Sequence, residues 1–135
     1  MIHFENTKEP VSVQEIKEFE TKFNIKFPES YKLHILKYNG GYPSLDMYFG
    51  DFNIPIDSFL SIKHGNQTIE RVMNNLSNVL KGKEVPFARS TSGTIYMSLK
   101  EEDYGSVYVA YSEWNPKLLA KTFDEFIEGI HEDEI

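Results

Sequence analysis

Residues 94–111 read TIYMSLKEEDYGSVYVAY, and this stretch decides the fold class. Apolar and polar residues alternate on both sides of an acidic centre, which is the period of a half-buried β-strand. Residues 100–104, between the two alternating stretches, suit a turn. The sequence therefore predicts an antiparallel hairpin, with one apolar face on each of its strands.

Helical patterns precede this hairpin. Ser12-Val13-Gln14-Glu15 is typical of a capping box and predicts a helix to about residue 24. Pro28 suits the first position of a second helix, which Asn39-Gly40-Gly41 is expected to end in the left-handed conformation. Apolar residues spaced three and four apart from Ile69 to Leu80 predict a third helix, stopped by Gly82.

A last helix follows the hairpin. Thr122-Phe123-Asp124-Glu125 is a second capping box, and its apolar face is predicted to extend to Ile130. Helices followed by strands, with one helix inserted and one at the end, indicate an α+β fold. We expect a single domain with a core over about 12–130 and an acidic tail over 131–135.

Composition fits a protein that folds on its own and binds other molecules through charge. The chain has 135 residues, of which 40% are hydrophobic and 14% aromatic, and it has no cysteine. Its net charge is −7, and residues 101–135 carry two Lys/Arg against ten Asp/Glu. Such a segment repels phosphate backbones and attracts basic surfaces. A solvated acidic face with a frayed tail is the alternative explanation.

The usual signatures of catalysis are missing from the sequence. No two of the four histidines have metal-ligand spacing, and no P-loop, dinucleotide fingerprint or nucleophile elbow occurs. Asp51-Phe52-Asn53 with Asp57 lacks the glycine and closing glutamate of a calcium loop. Arg89 to Thr94 suits an anion site less well than a turn between strands. We therefore expect a protein that is not an enzyme and that holds neither a metal nor a cofactor.

The acidic centre of the hairpin is the first candidate for a partner-binding surface. It places three carboxylates beside an aromatic ring at an exposed tip, and a second acidic–aromatic pair follows the next strand. Tyrosine and tryptophan often anchor interfaces, whereas rim carboxylates mainly set the encounter rate. A solvated turn and a core tryptophan are the alternatives. The candidate residues are Glu101, Glu102, Asp103, Tyr104, Glu113 and Trp114.

Several ordered motifs together resemble the SUKH superfamily, a group named after yeast cell-wall-synthesis regulators and abundant in bacteria. The motifs are Phe19-Glu20 with Phe23, Phe27-Pro28-Glu29, Asn39-Gly40-Gly41, Pro86-Phe87-Ala88 with Gly93, Gly105-Ser106-Val107-Tyr108 and Thr122-Phe123-Asp124-Glu125-Phe126. The resemblance implies a mostly antiparallel, twisted sheet with two N-terminal helices, one central helix and one C-terminal helix. The family positions implied to be structural are Pro28, Asn39, Gly40, Gly41, Gly93, Gly105, Phe123 and Phe126.

The resemblance also implies a role. Bacterial members are similar to immunity proteins, which bind and neutralise a cognate toxin, often one that attacks nucleic acid. The alternative is a regulatory scaffold like the yeast regulators. We expect a toxin with a basic surface as the partner, no binding to nucleic acid or membrane, and a monomer or weak dimer. The charged N-terminal residues and the absence of an apolar span favour a cytoplasmic protein.

Overall fold

The computed structural model describes residues 4–77, 80, 83–91, 93–111 and 115–132. Its helices are α1 (Val13–Phe23), α2 (Glu29–Lys37), α3 (Ile69–Asn75) and α4 (Phe123–Glu128). Its strands are β1 (Phe4–Glu5), β2 (Tyr42–Pro43), β3 (Met47–Phe49), β4 (Ile54–Ile56), β5 (Ser58–Phe59), β6 (Glu84–Ser90), β7 (Gly93–Ser98), β8 (Val107–Ala110), β9 (Lys117–Ala120) and β10 (Ile130–His131). The predicted α+β class is confirmed. Within these residues, no helix has the length and apolar character needed to cross a bilayer.

The predicted hairpin forms the centre of a five-stranded sheet. The strand order is β5-β6-β7-β8-β9, and every neighbouring pair is antiparallel. Within the hairpin, Tyr96 lies opposite Tyr108 and Met97 opposite Val107. The connection between β7 and β8 is a short 3-10 helix, Glu101–Asp103. The alternating pattern in the sequence was therefore sufficient to predict both the pairing and the position of its turn.

Two smaller antiparallel sheets use short segments. One pairs β1 with β2, and the other has the order β10-β3-β4. Pro55 lies in β4, at the edge of its sheet, where the missing N–H of proline does not interrupt a ladder. The prediction that the last helix includes Ile130 is wrong. Gly129 caps α4, and Ile130 pairs with Phe49 as part of β10.

Capping explains the start of α1. The Glu15 N–H donates to the Ser12 hydroxyl at 3.1 Å, and the Ser12 N–H donates to the Glu15 carboxylate at 2.9 Å, so the capping box is confirmed. Val13, the first residue of α1, is apolar but 57% exposed. Val11 and Ile16 are buried instead, at the two positions of a hydrophobic staple around the cap.

The other helix ends agree with the sequence in part. Pro28 is the cap that precedes α2 rather than its first residue. The Glu125 N–H donates to Thr122 at 3.0 Å, but the Glu125 carboxylate accepts from the Lys121 N–H instead of completing the box. The start of α2 is therefore one residue later than predicted, whereas α4 starts where predicted but with a different hydrogen bond.

The third helix is shorter than predicted. It ends at Asn75, the second of two consecutive asparagines, a residue type with a low preference for helix interiors. Leu80 is nevertheless buried, against Tyr96 and Ala110 on the outer face of the five-stranded sheet. Gly82, the predicted stop, lies outside the described residues.

The core is mainly aromatic and includes residues from both ends of the chain. Phe87 of β6 has Phe123 and Phe126 of α4 at ring-centroid distances of 5.6 Å each, and Tyr31 of α2 at 5.8 Å. Phe4 of β1 contacts Phe59 at 4.9 Å between ring centroids. Edge-to-face contacts of this kind add to the free energy gained by burying the rings. Helices α2 and α4 therefore pack on one face of the five-stranded sheet.

Candidate protein-binding surface

The tip of the β7–β8 hairpin displays two of its three predicted carboxylates. Glu101 and Glu102 are exposed on the 3-10 helix. Asp103 is only half-exposed, and its two carboxylate oxygens accept hydrogen bonds from the hydroxyls of Ser98 at 2.5 Å and Tyr108 at 2.7 Å. The expectation that all three acids are displayed together is therefore corrected. Asp103 fixes the turn, whereas the side chains of Glu101 and Glu102 are exposed at its tip.

The hydrogen bonds of Asp103 change the acidity of the groups around it. The bond to the Asp103 carboxylate, followed by burial, raises the pKa of Tyr108 to about 12. Burial opposes ionisation of Asp103, but the bonds from Ser98 and Tyr108 hold its pKa below the ordinary value. The carboxylate and the phenol therefore keep their charge states over the whole neutral range, and the turn keeps its shape.

Tyr104 attaches the same tip to a second part of the molecule. Its hydroxyl donates to the backbone carbonyl of Lys26, in the segment between α1 and α2, at 2.5 Å. Burial, and then the charge of Glu20, raise the pKa of Tyr104. The residue is still 46% exposed. The ring is therefore held in position while much of its surface stays open, which suits an interface anchor.

Removing the Asp103 carboxylate should destabilise the fold far more than removing its neighbours. Asp103→Ala leaves the hydroxyls of Ser98 and Tyr108 without their acceptor, so we expect a loss of about 2 kcal/mol in the free energy of unfolding. Glu101→Ala and Glu102→Ala serve as matched controls and should each change it by less than about 0.5 kcal/mol. Urea denaturation measures all three. Equal effects at the three positions would contradict the structural role of Asp103.

The second half of the predicted surface, Glu113 and Trp114, lies outside the described residues. Their role as a partner contact remains a prediction.

The family positions predicted to be structural lie at caps, turns and in the core. The Asn39 side chain is buried and joins two segments: its amide donates to the carbonyls of Glu9 at 2.8 Å and Ile62 at 3.0 Å, and its oxygen accepts from the Ile62 N–H at 2.8 Å. Gly40, Gly41 and Gly105 have positive φ angles. Phe123 and Phe126 are buried, Pro28 precedes α2, and Gly93 lies under the ring of Tyr111.

Sequence reasoning missed a second surface, a groove built from three separate segments. It lies where the β2–β3 connection and β4 meet the turn after β6. Its lining residues are Tyr42, Pro43, Leu45, Asp46, Met47, Tyr48, Pro55, Ile56, Asp57 and Thr91. We call it the acidic–aromatic groove. No spacing pattern predicts it, because only the tertiary fold brings these segments together.

Comparison with known proteins agrees with the motifs. Within the described residues, no group of three or more His, Asp or Glu side chains is arranged to hold a metal ion. No curated protein matches the chain. The model of the SMI1 / KNR4 family (SUKH-1) matches residues 10–129. The match includes all four helices and most of the strands, so the chain belongs to the SMI1 / KNR4 family (SUKH-1).

Proposed function

We propose that this chain is an immunity protein, which binds a cognate toxin in the cytosol and neutralises it by forming a stoichiometric complex. The observation that carries the proposal is the hairpin tip. Glu101 and Glu102 are exposed on a turn that Asp103 and Tyr104 hold rigid through hydrogen bonds. A rigid acidic tip loses little conformational entropy on binding a basic surface.

Charge distribution supports the same partner. Residues 101–135 have a net charge of −8, from two Lys/Arg and ten Asp/Glu, while residues 61–100 have a net charge of +4, from six Lys/Arg and two Asp/Glu. A toxin that acts on nucleic acid needs a basic surface to hold phosphates. Electrostatic complementarity would speed association and favour this partner over others. The mechanism needs no catalysis by the chain, only a tight complex, with a Kd of about 1 nM or about −12 kcal/mol.

Protection of cells tests the proposal. The genes adjacent to the one for this chain are searched for a candidate toxin, which is then expressed from an inducible promoter with and without the chain. We expect the wild-type chain to restore growth and to co-purify with the toxin at one to one. Continued killing despite folded, abundant protein would refute the immunity role. A stable complex with undiminished toxicity would instead support the regulatory scaffold.

Reversing the charge of the hairpin tip should slow formation of the complex. The variant Glu101→Lys with Glu102→Lys should reduce the association rate about tenfold at low salt and flatten its salt dependence, because both carboxylates face the basic partner. Glu18→Lys with Glu132→Lys changes the net charge equally at two other exposed positions, one on α1 and one just after β10, and serves as the control. Stopped-flow association at two salt concentrations measures both variants. An equal decrease of the association rate in both variants would show that the tip is not part of the interface.

A further inference from the structure

The acidic–aromatic groove has the shape of a shallow binding site. Its volume is about 520 Å³, enough for a few side chains of an extended segment. The β3–β4 hairpin forms its floor through the pairs Met47–Ile56 and Tyr48–Pro55. Three of its lining residues, Asp46, Asp57 and Thr91, lie on connections between strands. A partner chain could therefore enter without unfolding any element.

The charge of the groove has a single sign. Asp46 and Asp57 are its only charged lining residues within the described part of the chain, and both are exposed. The Thr91 hydroxyl donates to the Asp57 carboxylate at 3.2 Å and fixes its direction. Arg89, the nearest cation in sequence to Thr91, lines a different cavity beside α3. The negative potential of the groove is therefore not neutralised by a lining cation.

The apolar part of the groove is exposed to an unusual degree. Leu45 is 56% exposed, Tyr42 is 43% exposed, and Tyr48 is half-buried. A tyrosine face attracts guanidinium and ammonium groups, and it also packs against the aliphatic stems of arginine and lysine. Carboxylates beside tyrosine rings therefore suit basic side chains and disfavour acidic ones.

We infer that the acidic–aromatic groove binds a basic, extended segment of a protein partner. Arginine or lysine head groups pair with Asp46 and Asp57, and their stems lie on Tyr42 and Tyr48. The inference deepens the proposed function, since it gives the basic toxin a second contact, away from the hairpin tip. The same two carboxylates repel phosphate groups and so disfavour a nucleic-acid partner.

A peptide titration tests the groove without the toxin. The probe is a capped Gly-Arg-Gly-Arg-Gly peptide, added to uniformly ¹⁵N-labelled protein at low salt and followed through backbone amide shifts. We expect saturable shifts confined to residues 42, 44–48, 56, 57 and 91, since the two prolines of the groove have no amide proton. The corresponding peptide with glutamate in place of arginine should cause none. Shifts centred on residues 101–104, or spread over every acidic segment, would overturn the inference.

Two charge-matched variants separate a specific site from general attraction. Asp46→Asn with Asp57→Asn should weaken binding of the arginine peptide about fivefold, whereas Glu101→Gln with Glu102→Gln should change it less than about twofold. Both variants raise the net charge by two, and the asparagine at position 57 still accepts from Thr91, so the fold is preserved. Equal weakening would overturn the inference. Failure of the wild-type chain to protect cells would refute the proposed function and leave this titration unaffected.

Discussion

Gly41→Ala is expected to destabilise the protein by about 3 kcal/mol, because it adds a steric clash to an unfavourable backbone conformation. Gly41 has a φ of +101°, a region that L-residues avoid. A Cβ at this position would lie 2.6 Å from the backbone carbonyl oxygen of Glu5 and 3.0 Å from a methyl group of Thr7. Strand β1 would have to move, and Phe4 would move with it out of the core.

Gly50 provides the matched control for this prediction. Its φ is +71°, but a Cβ there would have no heavy atom within 4 Å. Gly50→Ala therefore has only the conformational cost, about 1 kcal/mol. Urea denaturation of both variants gives the two free energies of unfolding, and their difference isolates the clash with β1. Identical losses would show that β1 is not held against Gly41 in solution.

Acidification from pH 8 to pH 4 is expected to reduce the free energy of unfolding by about 3 kcal/mol through His34 alone. The His34 ring lies 5.3 Å from Phe4, 5.1 Å from Phe59 and 5.3 Å from Phe123 between ring centroids. Its Nε2 is buried and has no hydrogen-bond partner within the described residues. Burial, and then the charge of Lys37, lower the pKa of His34 to about 4.

The direction in which stability changes with pH follows from the pKa values of His34 in the unfolded and folded states. The unfolded histidine has a pKa of 6.5 and the folded one about 4, so between these values the unfolded chain binds the extra proton. Stability therefore falls as the pH drops through this window. Glu15 acts in a lower window: its hydrogen bond with Lys63, then that from the Ser12 N–H, lower its pKa from 4.5 to about 2, so its contribution is lost only below pH 4.5.

Two measurements check the role of His34. The imidazole proton shifts of the folded protein should titrate near pH 4, and a midpoint near 6.5 would contradict the buried environment. His34→Phe removes the titrating group from the same aromatic surroundings. Its stability should be nearly constant between pH 8 and pH 5, where the wild-type chain loses about 2 kcal/mol. A parallel loss in both proteins would assign the pH dependence to another group.

Local sequence patterns predicted the elements that local forces determine. The residues at 94–111 alternate with the period of a strand, and they form the central hairpin. The side chains of Ser12 and Glu15 each accept a hydrogen bond from the other residue's backbone N–H. The start of α1 could therefore be predicted from the four consecutive residues 12–15 alone. The positive φ angles of Gly40 and Gly41 were also predictable, since only glycine adopts them without strain.

Features that depend on distant contacts could not be predicted in this way. The Asp103 carboxylate turns inward because Tyr108, on the next strand, offers a hydroxyl within reach. Ile130 has the spacing of a helical residue, but pairing with Phe49, 81 positions earlier, takes it into a strand. The acidic–aromatic groove combines segments whose proximity depends on the packing of all three sheets. Each case is a tertiary contact that outweighs a local preference.

The position of α4 and β10 in the chain also determines when the core can fold during translation. Phe126 stacks on Phe49 at 5.2 Å and contacts Phe87, so the last helix fills the centre of a core begun by much earlier segments. A nascent chain that lacks residues 123–131 exposes these rings to water. Completion of the core therefore has to wait until residues 123–131 have been made, and chaperones would meet an aromatic surface in the meantime. Premature termination before residue 123 would yield an aggregation-prone fragment, not a smaller working domain.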